Sequence, residues 1–354
     1  MIYRLVLSFL TAVIFTYVII PSIINIAKIK RLTDEPDERR AHKRSIPTLG
    51  GIGIFAGTLF SIVMWTPFHL FGDLQYILCS FIIIFLIGAK DDIIPLTPYK
   101  KMIGLVCATL ILVFKANIRI TSFYGIFNIH ELPYLWSVLI TVFTILVIVN
   151  AINLIDGINA LGGSMGLLIA SVYGVWFYLA DQVVLSIISF ALVGSLIAFL
   201  KFNLTPAKIF MGDTGSLLIG IICSILSFSF MEDSFYYSPQ YSPVYAVPAV
   251  ETAILFIPLF DMLRVFILRI WSGQSPFTGD RRHMHHLLVD LGLNHLQATL
   301  ILVAVNSAVL LFAHSLQSLG NLMLIAIMTV FGILLSYLLI FLKKQRAHWS
   351  HDTF

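Results

Sequence analysis

The stretch Leu139 to Val149 reads Leu-Ile-Thr-Val-Phe-Thr-Ile-Leu-Val-Ile-Val, with no charge and no helix breaker, and runs like it recur along the whole chain. A bilayer core is crossed by about 20 mostly apolar residues, and a helix satisfies their backbone polar groups internally. Hydropathy places about eleven such segments, at roughly 5–27, 49–66, 74–89, 101–115, 134–150, 160–180, 183–201, 214–231, 247–270, 297–315 and 320–342. With 59% hydrophobic and 11% charged residues and a mean hydropathy of +0.95, the chain lies far from a soluble balance. The expected fold is an all-α integral membrane protein of about eleven transmembrane helices, one domain over residues 1–354. The first segment is too long for a cleaved signal peptide and has no small-residue cleavage site before its basic loop.

An odd number of spans puts the two termini on opposite faces. Of the 22 Lys and Arg, all but Arg4, Lys115 and Arg119 fall on the loops of one face. The positive-inside rule makes that face cytoplasmic, with the N-terminus outside and the C-terminus inside. The net charge of +4 expresses this asymmetry. No basic patch interleaved with aromatics appears, so no nucleic-acid partner is expected. Cys79, Cys107 and Cys223 sit inside apolar segments without metal-type spacing and read as small core residues.

The polar residues then stand out. Asn150, Asn153 and Asp156, at i, i+3 and i+6, share one helix face if the helix continues. Unpaired amides and a carboxylate at the mouth of a membrane helix are costly, so a function is the default reading. Asp91-Asp92 closes the third segment, with Thr97-Pro98 as cap and first position of the fourth. Two adjacent carboxylates ask for a cation, a proton or a basic partner. Phe210-Met-Gly-Asp213-Thr-Gly-Ser216 opens the eighth segment, where Asp213 is either an N-cap or a carboxylate with open approach beside a helix start that favours phosphate. The first loop ends in Pro47-Thr-Leu-Gly50-Gly51, whose amides can approach an anion at the start of the second segment. Pro248 and Pro258 predict a kink or break in the ninth segment, where Asp261 and Arg264 can pair at i and i+3. Arg281-Arg282-His283-Met-His285-His286 follows. With no Cys and few carboxylates nearby it suits phosphate oxygens better than zinc. The outer loop 116–133 hints at a short hairpin and carries no chemistry.

Taken singly, each motif has a plainer explanation: an interfacial stop signal, an N-cap, a positive-inside anchor, a solvated loop. Their common cytoplasmic placement argues otherwise. Carboxylates, amides, histidines and bases gathered at the inner surface suit a polyanionic soluble substrate, a divalent metal and a lipid acceptor. A secondary transporter would carry such groups near the midplane of broken helices, with repeats. An intramembrane aspartyl protease would need a second aspartate facing Asp213. Another Mg²⁺-dependent lipid phosphotransferase or prenyltransferase also uses Asp clusters.

The set Lys90-Asp91-Asp92, Asn150-x-x-Asn153-x-x-Asp156-Gly157, Phe210-Met-Gly-Asp213-x-Gly-Ser216 and His283-x-His285-His286 resembles the polyprenyl-phosphate N-acetylhexosamine-1-phosphate transferase family. The match runs from about residue 30 to 295. Ser275-Pro276-Phe277 with Asp280-Arg281-x-His283-x-His285-His286 is similar to the WecA and TagO branch. The MraY branch tends to three consecutive histidines, which Met284 interrupts. That argues against a phospho-MurNAc-pentapeptide substrate and for UDP-GlcNAc, with other UDP-N-acetylhexosamines as alternatives.

The resemblance implies an enzyme of the bacterial cytoplasmic membrane that works on its cytoplasmic face. It would transfer N-acetylhexosamine-1-phosphate from a UDP-sugar to undecaprenyl phosphate, with Mg²⁺ (or Mn²⁺) and release of UMP, as the first membrane step of a cell-surface polysaccharide. It also implies the roles. Asp213 and Asn153 would ligate the metal. Asp91 and Asp92 would handle the lipid phosphate. Asp156, Asn159 and Lys101 would line the nucleotide side, with Asn150 beside them. Arg282, His283, His285 and His286 would hold the diphosphate, assisted by Lys43. Membrane lipids surround it, and a homodimer is left open.

Overall fold

The computed structural model describes residues 1–32, 46–236, 244–275 and 281–351. Its helices are α1 (Ile2–Ile29), α2 (Gly50–Trp65), α3 (Leu74–Ile93), α4 (Pro98–Phe114), α5 (Tyr134–Ile155), α6 (Leu161–Leu179), α7 (Val183–Asn203), α8 (Gly212–Tyr236), α9 (Val247–Ile254), α10 (Phe256–Trp271), α11 (Met284–Asp290), α12 (His295–Ser315) and α13 (Asn321–His351). Each expected segment is helical. Among the described residues seven helices are long and apolar enough to cross a bilayer, and the shorter apolar α2 stands beside them. The protein is a multi-pass membrane protein.

Burial separates an inner from an outer set. The apolar stretch of α8 is 94% buried, against 28% for those of α1 and α13. α8 packs against α2, α3, α5 and α6, so it is the axis of the bundle. On α1, Leu5, Ser8, Ala12, Thr16, Ile20, Ile23, Ile24 and Ala27 form the buried stripe, the 3–4 spacing of one helix face. The opposite face exposes Ile14, Tyr17 and Val18, which only lipid covers favourably. The inward stripe carries hydroxyls that bond between helices: Ser8 to Ser61 at 2.9 Å, Thr16 to Ser195 at 3.1 Å and Thr58 to Ser195 at 3.0 Å. Small and hydroxyl residues let helices approach closely where no hydrophobic effect drives them together.

The ninth segment is broken, as its prolines predict. Pro258 lacks an N–H and its ring clashes with the carbonyl four residues back, on Ile254, and the helix stops there and restarts at Phe256. Asn306 of α12, fully buried, fills the gap. Its Oδ1 accepts from Ile257 N at 2.9 Å and its Nδ2 donates to the Ile254 carbonyl at 3.0 Å. Backbone freed at membrane depth is tolerated only when a neighbour satisfies it in this way. In the outer loop the expected hairpin is reduced to one antiparallel bridge, Ser122 with Glu131. Thr121 ties that loop to α8 through the Glu232 carboxylate, at 2.8–3.0 Å.

Candidate active site

Asp91 and Asp92 close α3, where carboxylates oppose the helix dipole. The second is compensated elsewhere. Asp92 Oδ1 accepts from Asp213 N at 2.7 Å, and Oδ2 accepts from Thr214 N at 3.0 Å and Thr214 Oγ1 at 2.5 Å. Asp92 therefore caps α8 from another helix and does what sequence allowed Asp213 to do. The Asp213 carboxylate is released for other partners. Its Oδ1 accepts from Asn153 Nδ2 at 2.7 Å, and its Oδ2 takes the Lys101 ammonium, which also lies 3.5 Å from Asp91 Oδ2. Asp91 Oδ1 accepts from Leu96 N at 2.5 Å. Asn153 also donates to Ser216 Oγ at 2.8 Å.

Close backbone approach makes this junction. Gly212 sits at φ +70, and a Cβ there would lie 2.1 Å from the Thr48 carbonyl oxygen. A Cβ on Gly51 would lie 2.1 Å from Gly215 N, so α2 and α8 cross glycine on glycine. The expectation that the Gly50 and Gly51 amides meet an anion does not hold. Gly50 N donates to the Phe210 carbonyl at 2.9 Å and Gly51 N to that of Met211 at 2.8 Å. Those amides are consumed in joining the two segments. α4 begins at Pro98 after Thr97, although the Thr97 side chain makes no capping bond.

The second wall is the turn after α5. The helix ends at Ile155, one residue short of a shared face for all three polar positions. Asn153 and Asp156 line a cavity, whereas Asn150, half-buried, donates from Nδ2 to the Leu146 carbonyl of its own helix at 2.7 Å and does not. Asp156 accepts from the Gly162 amide at the start of α6; burial pushes its carboxyl up to about 7, and the Asp213 carboxylate adds to the rise. Asn159 donates to Thr205 Oγ1 at 3.2 Å. Asn203 ties the surrounding loops, accepting from Ala160 N at 2.7 Å and donating to the Ile209 carbonyl at 2.9 Å. Sequence reasoning passed over Asn203, yet an amide ending an apolar segment is the signal that marked Asn150 and Asn153.

The histidines divide. His286 lines the cavity, and the neighbouring cation there is Arg281 rather than Arg282, whose guanidinium reaches Ser272 Oγ at 3.2 Å and Gln274 Oε1 at 3.1 Å. His283 Nδ1 bonds Asp261 Oδ2 at 2.9 Å. His285 is 1% exposed and packs on Gly157, where a Cβ would lie 2.2 Å from its Nε2. Burial, helped by neighbouring His286, lowers His285 to about 3, and burial, helped by Arg281, lowers His286 to about 4. Both imidazoles are neutral at pH 7. They offer polarity, and Arg281 offers the charge. Lys43 and residues 276–280 lie outside the described residues.

Together these groups enclose a cavity of ≈ 600 Å³, within the usual range for a small-molecule site. Asp91, Asp92, Asp156 and Asp213 stand with Asn153, Asn159 and Asn203 along it, and Arg281, His286 and His295 complete it. Residues from six helices and more than a hundred positions apart thus meet at one mouth of the bundle. Lys101 reaches the site through Asp91 and Asp213 without lining the cavity. Among the described residues no three His, Cys, Asp or Glu converge as a closed metal shell. The donors by Asp213 are oxygens of one carboxylate, an amide and a hydroxyl. That fits Mg²⁺, which keeps several waters and shares substrate phosphate oxygens, and does not fit zinc.

The sequence profile of glycosyl transferase family 4 matches residues 74–231, from α3 through most of α8. A Bacillus subtilis protein described as a probable undecaprenyl-phosphate N-acetylglucosaminyl 1-phosphate transferase is 29% identical over 300 residues, 84% of this chain and 81% of that protein. The undecaprenyl-phosphate alpha-N-acetylglucosaminyl 1-phosphate transferase of Escherichia coli O157:H7 is 29% identical over 292 residues, 80% of this chain and 76% of its own length. The Salmonella typhi protein of that description is 29% identical over 286 residues, 79% and 74%. The matched region holds every carboxylate of the cavity, and over about four fifths of its length the chain is similar to these undecaprenyl-phosphate N-acetylglucosaminyl 1-phosphate transferases.

Proposed function

We propose that the protein transfers N-acetylglucosamine-1-phosphate from UDP-GlcNAc to undecaprenyl phosphate, giving undecaprenyl-diphosphate-GlcNAc and UMP. The observation that carries the reading is the cavity itself. Four aspartates face an arginine and a histidine across a space of nucleotide-sugar size at the ends of membrane helices. The names of the relatives supply the sugar and the lipid.

An oxygen of the lipid phosphate attacks the sugar-bearing phosphorus of the UDP-sugar. The bond from that phosphorus to the oxygen of the departing UMP breaks. Such transfers rest on positioning and charge neutralisation more than on a protein nucleophile. Asp213 and Asn153 would hold Mg²⁺, which when bound neutralises charge on the diphosphate. Arg281 would grip the diphosphate from the far side, with His286 beside it, and Asp156 and Asn159 would face the nucleotide. Lys101, between Asp91 and Asp213, fixes both carboxylates. Asp92 is held by three close donors and Asp91 by the Leu96 amide and the more distant Lys101 ammonium, so Asp91 is the member of the pair that would take the proton from any monoanionic lipid phosphate. A phosphate monoester has a second pKa of about 6, so at neutral pH the acceptor is mostly the dianion and attacks directly. The distribution of Lys and Arg supports a cytoplasmic site in the bacterial inner membrane, with the N-terminus outside.

The test incubates purified protein with undecaprenyl phosphate, Mg²⁺ and a panel of UDP-sugars and measures the nucleotide released. UMP identifies sugar-phosphate transfer. UDP would mark an ordinary glycosyltransferase and overturn the reading.

A further inference from the structure

The short helix that carries His286 is held by a carboxylate that the transfer does not touch. Asp261 lies on α10, is 1% exposed, and does not line the cavity. Its Oδ1 accepts from Met284 N and from Arg264 Nη2, each at 3.0 Å, and its Oδ2 pairs with His283 Nδ1 at 2.9 Å. Arg264 also donates through Nη2 to the Arg282 carbonyl, and through Nη1 to Ser336 Oγ at 3.2 Å. Every residue from 282 to 284 is thus bonded to α10, two of them through the backbone.

Three facts give this arrangement a consequence. α11 has seven residues, too few to stand without tertiary support. Its first N–H is capped by Asp261 across the structure, as Asp92 caps α8 from α3. A carboxylate this deeply buried is stable only while its donors are in place, since losing one leaves an uncompensated charge. The docked position of α11 is therefore the one in which Asp261 is satisfied. In that position Arg281 and His286 line the cavity while the His283 ring, 5% exposed, points its Nδ1 away into the protein.

We propose that Asp261, Arg264 and His283 form a buried latch that sets α11, and that Asp261 and His283 are positioning residues through which Arg281 and His286 are aimed at the diphosphate. The nature of that ligand rests on the function proposed above, whereas the latch rests on the bonds alone. Such a role has a signature distinct from substrate contact. An asparagine side chain presents its amide nitrogen about where the imidazole carries Nδ1 and can donate to the same carboxylate. A ligand imidazole would find no such replacement.

The test compares His283→Asn, His283→Ala and Asp261→Asn in the full-length protein in nanodiscs, by UMP release at varied UDP-GlcNAc and varied undecaprenyl phosphate. His283→Asn is expected to keep KM for UDP-GlcNAc within about threefold of the parent. His283→Ala and Asp261→Asn are expected to raise it about tenfold or more, the scale of a small misplacement of binding groups, with KM for the lipid within about twofold. If His283→Asn is as impaired as His283→Ala, the ring touches substrate and the latch is wrong. If His283→Ala matches the parent, the latch has no role. A second measurement needs no turnover: the maleimide labelling rate of His286→Cys in a Cys79→Ala, Cys107→Ala background, with and without Asp261→Asn. A labelling rate changed severalfold supports the latch, and an unchanged rate overturns it. A parent protein that releases no UMP while this labelling difference persists would sink the proposed function and leave the latch standing.

Discussion

Replacing Asp92 by alanine separates a structural carboxylate from a reacting one. In the native arrangement its two oxygens receive Asp213 N, Thr214 N and Thr214 Oγ1 at 2.5–3.0 Å. Removing an Asp N-cap costs about 0.5–2 kcal/mol, and the loss of a negative charge from a helix N-terminus adds about 0.3–1 kcal/mol. Asp92 is partly exposed at the cavity rim, so water replaces part of what is lost. The net expectation is a destabilisation of about 1–2.5 kcal/mol, read by denaturant titration in mixed micelles. The functional loss should be larger than the stability loss. Asp213 is carried on the turn that Asp92 caps, and a misplacement of about 1 Å can cost on the order of a hundredfold in rate. Asp92→Asn keeps one acceptor for Asp213 N and should fall between the two. An Asp92→Ala protein as stable as the parent to within about 0.5 kcal/mol, yet without turnover, would refute the capping argument and make Asp92 a reacting group.

Asp213→Ala should abolish UMP release and the response to Mg²⁺, whereas Cys79→Ala should change neither. A fully active Asp213→Ala protein removes the metal assignment. Asp156, held near 7 in the fold against an ordinary 3.8, binds more protons folded than unfolded between those values. Its contribution to stability is full below the lower one and is lost as pH rises through about 7. Asp156→Asn should flatten that part of the stability profile, and an unchanged profile would remove the assignment. Asn306→Ala leaves Ile257 N and the Ile254 carbonyl without their partner. In a membrane each such bond is worth about 0.6 kcal/mol on average and about 1.7 at most, so a loss of about 1–3 kcal/mol is expected, and a loss below about 0.3 kcal/mol would contradict the bridging role. A phospho-sugar adduct on the protein, trapped by mass spectrometry in the absence of lipid phosphate, would replace direct attack by a two-step route.

What the residues determined unaided is the class of fold and the composition of the site. Apolar runs of bilayer length leave the backbone no option but helices, and Pro248 and Pro258 predicted a kink or a break in the one that contains them. The cost of polar groups among those runs marked Asp91, Asp92, Asn153, Asp156 and Asp213, because nothing but a shared site or a close partner offsets it. The division of labour among them was decided elsewhere. Nothing local says that Asp92 caps α8 and leaves Asp213 free, since the two are bonded across 121 positions of sequence. Nothing local turns Arg281 rather than Arg282 to the cavity, spends the Gly50 and Gly51 amides on Phe210 and Met211, or buries His285 against Gly157. Hydropathy reports how often a residue faces lipid or protein. Which donor meets which acceptor depends on crossings between helices far apart in the chain, and those exist only once the bundle has formed.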